Sequence, residues 1–117
     1  MAYYVHEVKK YSVYLHGGGK NVSGYPYRAI VGLRKDDGAL YGALYFHMSP
    51  SNLPDRDTRN TSTGYIHCHF TEDHYSAAID LLRNEQPVFL RLVGSESEGS
   101  AQLTTSLEPV GEGEESS

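Results

Sequence analysis

The chain has 117 residues, ten tyrosines, no tryptophan, one cysteine and a formal net charge of −5. That length suits one domain with a core large enough to fold without staples, and a lone cysteine excludes an internal disulfide. No run nears the roughly 20 apolar residues of a membrane helix and no signal-type stretch is visible, so a cytoplasmic soluble protein without a membrane partner is expected.

"YYVHEVKKYSVYL" (residues 3–15) alternates in patches. Tyr3, Val5, Tyr11, Val13 and Leu15 share one parity, which Glu7 and Lys9 interrupt. The pattern predicts one long bent strand or two short ones. "HGGGKN" (16–21) reads as a hairpin loop, because it lacks the spacing of a phosphate-binding loop.

The clearest hairpin follows. "YPYRAIVGLRK" and "ALYGALYFHM" flank Asp36-Asp37-Gly38, and Asp37-Gly38 supplies the positive φ of a tight turn. In the second arm, alternation puts Leu40, Gly42, Leu44, Phe46 and Met48 on one face. Tyr41, Ala43, Tyr45 and His47 take the other. Residues 49–63, "SPSNLPDRDTRNTST", read as a mobile solvated loop or as a flap over the neighbouring sheet face.

"GYIHCHF" (64–70) gathers two histidines and the cysteine. Strand alternation separates them. Ile66, Cys68 and Phe70 form a core face, and Tyr65, His67 and His69 face the other way. A thiol–imidazole pair needs both side chains on one side, so Cys68 reads as a small core residue.

"TEDHYSAAIDLLRNEQP" (71–87) predicts the one helix. Thr71 fits the N-cap, and Glu72 and Asp73 suit the positive end of the helix dipole. Phe70 and Tyr75 hold the positions of a hydrophobic staple, and Tyr75, Ala78, Ile79 and Leu82 form the buried stripe. Asn84 can close the helix in the left-handed conformation before Pro87. "VFLRLV" (88–93) and "AQLTTSL" (101–107) read as strands, the second at an edge.

Residues 1–95 carry ten bases against nine acids, whereas residues 96–117 carry six glutamates and no base. The order ββββ-α-ββ predicts an α+β domain over 1–108. Its strongly curved antiparallel sheet forms a roll or partly open barrel, with one helix on one face. Residues 109–117 form an acidic tail, expected to be disordered unless a partner orders it.

If the strands are neighbours, Tyr41, Tyr45, His47, Tyr65, His67 and His69 line one aromatic face with polar tips. A homodimer surface of a non-enzymatic binding module ranks first. Single-stranded nucleic acid ranks second, with bases stacked on the rings and Arg28, Arg34, Lys35, Arg56 and Arg59 neutralising phosphates; the tail would then regulate binding or contact a protein partner. Third comes a metal-dependent enzyme or small-ligand binder that uses the strand histidines, since His67 and His69 lie about 6.5–7 Å apart on a strand and His47 can supply a third ligand to a divalent metal. No nucleophile–base–carboxylate set assembles, so no catalytic residue and no organic cofactor is assigned.

Overall fold

A computed structural model describes residues 3–15, 27–54, 56–95 and 99–105. The glycine loop at 16–21 and the acidic tail at 109–117 lie outside the described residues.

Strand β1 (Tyr3–Val8) and strand β2 (Lys10–Leu15) are separated by Lys9 alone. The expected long bent strand therefore exists, and it changes sheets at its bend. β2 continues into an antiparallel meander with β3 (Tyr27–Arg34) and β4 (Leu40–His47). The Asp36-Asp37-Gly38 turn joins β3 to β4. Gly38 takes φ +93°, its N–H donates to the Lys35 carbonyl at 3.0 Å, and Asp37 Oδ1 accepts from the Ala39 N–H at 2.9 Å.

After β4 the chain makes a crossover. Residues 49–63, expected to be a loop, contain a 3-10 turn at Pro50–Asn52 and a short strand β5 (Thr58–Arg59). A turn through Asn60 then leads into β6 (Ile66–Thr71), which slots between β5 and β4 and runs parallel to β4. Parallel neighbours need roughly a dozen connecting residues or more, and residues 48–65 supply them.

The second sheet joins the two ends of the described chain. β1 pairs with β7 (Val88–Val93), which pairs with β8 (Ser100–Thr105) at the edge. Among the described residues the architecture is α+β with one helix, as expected, but the single strongly curved antiparallel sheet is replaced by two sheets. One has five strands in the order β2-β3-β4-β6-β5, and the other has three in the order β1-β7-β8. The physical reason is the bend at Lys9, which hands the long strand from one sheet to the other.

The bend also switches parity. In β1 the even residues Tyr4 and Val8 pack on the core, whereas in β2 the odd residue Tyr11 does. Helix α1 (Tyr75–Asn84), entered through a 3-10 turn at Glu72–His74, lays the expected stripe of Tyr75, Ala78, Ile79 and Leu82 on that core. Phe46 meets Phe70 at 5.5 Å and the edge of Tyr75 at 5.3 Å, so both proposed staple residues close on one ring.

Two helix-end expectations differ. The Thr71 hydroxyl donates to the Asp73 carboxylate rather than capping a backbone N–H. Asn84 donates its side chain to Asp80 at 2.7 Å, and no described non-glycine residue has positive φ. The Glu85 N–H closes the last turn on the Leu81 carbonyl instead.

Helix and small sheet share one face of the large sheet. Val31, Leu33, Leu44, Phe46, Ile66 and Cys68 meet Leu90 and Leu92 across the interior. The two sheets approach closely at Gly42, where an added Cβ would stand 2.9 Å from a Leu90 methyl and 2.2 Å from the Ile66 carbonyl oxygen. Any larger side chain there would collide with backbone.

Candidate functional site

The parallel pairing of β4 and β6 sets Ala43 beside His67, Tyr45 beside His69, and His47 beside Thr71. The Tyr45 hydroxyl lies 3.0 Å from His67 Nδ1, and His47 Nε2 lies 3.0 Å from His69 Nδ1. Tyr45 also stacks on the His69 ring, with centroids 5.0 Å apart and planes 18° from parallel. Four predicted residues therefore form one linked ladder: His67, Tyr45, His69, His47.

This ladder is less open than the sequence suggests. His47 is 2% exposed, and Tyr45, His67 and His69 are half-buried. Burial holds the proton affinities of His47 and His67 below the ordinary imidazole value. His69 is likewise lowered, by burial first; Asp57 opposes the shift, and His47 and His67 add to it. Neutral imidazoles suit the ladder, because each offers one donor and one acceptor nitrogen.

Of the three histidines expected as metal ligands, His67 has its Nδ1 against the Tyr45 hydroxyl, and His69 has its Nδ1 against His47 Nε2. Among the described residues no group of three or more His, Cys, Asp or Glu is placed to hold a metal ion.

Tyr41 leaves the predicted face. Leu33 pairs with Gly42 and Arg34 with Leu40, so Tyr41 is the extra residue of a bulge. A bulge re-aims side chains. Leu40 accordingly reaches the Gly32 position on the outer face, 3.3 Å from where a Cβ would stand, and Tyr41 stacks on His6 of β1 at 4.4 Å and 17°. Tyr65 sits one position before β6, half-buried, its carbonyl accepting from the Asn60 N–H at 2.8 Å.

The four arginines do not form one strip. Arg28 reaches Glu72 at 4.0 Å, and Arg34 donates to the Ser12 hydroxyl at 3.2 Å and the Gly38 carbonyl at 3.0 Å. Arg56 lines a cavity of about 410 Å3 with Leu53, Pro54, Asp57, His69 and Val93. Arg59 lies over the Tyr4 ring at 4.2 Å. Cys68 is buried on the core side as expected, and burial first, then Asp57, pushes its thiol proton affinity well up. An inert thiol follows.

One feature that alternation did not single out is the sheet edge that β2 forms among the described residues. β2 ends the five-stranded sheet, and Val13, Tyr14 and Leu15 are 38%, 52% and 68% exposed. Tyr14 continues the ladder across the sheet, opposite Ile30, which pairs with Tyr45, which pairs with His69. The signal was present as an apolar run, "VYL", placed on a strand whose position in the sheet the sequence does not specify. Comparison of the chain with protein-family models, with curated proteins and with solved structures finds no match.

Proposed function

We propose that the chain is a non-enzymatic interaction module that works as a homodimer, joined along strand β2 beside the Tyr/His ladder. The observation that carries this reading is the exposed apolar edge at Val13, Tyr14 and Leu15. Unpaired strand edges are usually blunted by charge, proline or a bulge, since they invite pairing with another chain. From Ser12 to Leu15 this edge has no charge and no proline.

The strand is also self-complementary. An antiparallel pairing with a second copy about Val13 sets that residue against its own copy. Tyr11 then faces Leu15, and Ser12 faces Tyr14, all with matched parity. Apolar cross-strand pairs of this kind contribute roughly 0.2–1 kcal/mol each. A two-fold axis through Val13 closes the assembly, as the commonest oligomers require. The ladder itself supports a scaffold role beneath this edge, because its polar tips already bond to one another.

Light scattering tests the reading. The wild-type chain is expected at twice its 13.0 kDa mass, and Val13→Lys at the single-chain mass with an unchanged circular dichroism spectrum. A monomeric wild type, or a dimer that survives Val13→Lys, would sink it.

A further inference from the structure

We infer that Arg34 is a recognition residue of the dimer, its guanidinium packing on the ring of Tyr14 from the second copy; the inference rests on the β2 pairing proposed above. The backbone decides which residues meet. The Arg34 carbonyl points at β2, where it accepts from the Lys9 N–H at 2.9 Å, and the Lys35 N–H points the other way, to the Ala39 carbonyl at 2.7 Å. Alternation along β3 then turns the polar backbone groups of Gly32 and Ile30 toward β2, so their partners Ser12 and Tyr14 use theirs inside the sheet. Tyr11, Val13 and Leu15 direct their N–H and C=O groups outward from the edge. A two-fold axis at Val13 makes that residue a hydrogen-bonded pair with its own copy. Ser12 and Tyr14 of the second copy become a non-hydrogen-bonded pair, the kind in which side chains stand closest, with about 4.5 Å between Cα atoms.

The side chains fit this arrangement. Ser12 and Tyr14 lie on the outer face, on the parity opposite the core-packed Tyr11. Ser12 is small and stands beside Gly32 in the register of β2 and β3, so the outer face is low there. Arg34 reaches this place. Its Nε donates to the Ser12 hydroxyl at 3.2 Å, and one terminal nitrogen lies 3.5 Å from where a Cβ at Gly32 would stand. The other terminal nitrogen donates to the Gly38 carbonyl at 3.0 Å. Bonds in the guanidinium plane fix the group, and rings stack on its faces, which such bonds do not use. Tyr14 is 52% exposed within one copy. Across the axis, the ring from the second copy extends over Ser12 to that guanidinium, whose charge the ring quadrupole attracts. The two-fold axis makes the contact twice.

Sedimentation equilibrium over a dilution series tests the contact. Arg34→Gln and Tyr14→Leu should each raise the dimer dissociation constant about tenfold, since each removes two symmetric contacts worth roughly a factor of three apiece. The double variant should be no weaker than either single one, because both substitutions remove the same contact. Arg34→Lys keeps the charge and should retain part of the affinity. Arg34 also bonds within its own copy, so a merely structural role would make the two losses multiply. If Arg34→Gln fails to fold, Arg34→Lys takes its place in the cycle, its loss expected to vanish beside Tyr14→Leu. A dimeric wild type whose dissociation constant is unchanged in Tyr14→Leu overturns the Arg34 contact and leaves the β2 dimer standing. Losses that multiply to about a hundredfold in the double variant do the same. A monomeric wild type overturns both.

Discussion

Asp57 ties the two sheets together with one carboxylate. Oδ1 accepts the His69 N–H of β6 at 2.8 Å, and Oδ2 accepts the Ala101 N–H of β8 at 2.9 Å. Its own backbone exchanges both hydrogen bonds with Gly99 at 3.2 Å. An amide has one acceptor oxygen, so Asp57→Asn leaves one strand N–H facing an NH2 group. Urea unfolding should show a loss of about 1–3 kcal/mol, the usual consequence of stranding a buried donor. Removing the charge should also lower the proton affinity of His69 further, since Asp57 raises it. A variant of wild-type stability would disprove this role. Nothing local marks Asp57 in "PDRDTRN": it reads as one acid of a polar loop because both its partners lie far away in sequence. Cys68, by contrast, was legible, because a strict period of two needs only its immediate neighbours.

At the level of elements, the Tyr/His ladder makes the β4–β6 pair sensitive to acid. In the folded chain His47, His67 and His69 hold protons less readily than the ordinary value of 6.5. A depressed folded value means that the stabilisation is whole above 6.5 and fades as pH falls through the folded-state values. When His47 and His69 are both charged, two N–H groups face each other across their 3.0 Å contact. The urea midpoint should therefore be lower at pH 5.5 than at pH 7.5, and His47→Asn should flatten the difference; an equal midpoint at both values would refute it. The helix stripe and the Gly38 turn were readable because each is set within a few residues. The displacement of Tyr41 was not. It comes from a register shift between two strands, which parity within one strand cannot reveal.

For the whole molecule, the partition into two sheets decides where edges are left. The order of elements was largely visible in the sequence, but strand order was not. It depends on pairings such as β1 with β7 and β4 with β6, whose partners are brought together only by the complete fold. No helix among the described residues is long and apolar enough to cross a membrane. If two copies join along β2, folding is linked to association, and the thermal midpoint must rise with protein concentration by mass action. Calorimetry over a wide dilution series checks this: a concentration-independent midpoint contradicts the dimer, and Val13→Lys should abolish the dependence.

The pairing of β1 with β7 also bears on how the chain is made. Tyr3–Val8 leaves the ribosome long before its partner, since even the nearest pair, Val8 with Val88, is 80 residues apart in sequence. At the usual rate of synthesis, roughly 5–20 residues per second, that gap lasts several seconds. Through that interval Tyr4 and Val8 have no sheet to enter, while β2, β3 and β4 can already form their meander. β1 can therefore complete the small sheet only after Val88–Val93 has been made.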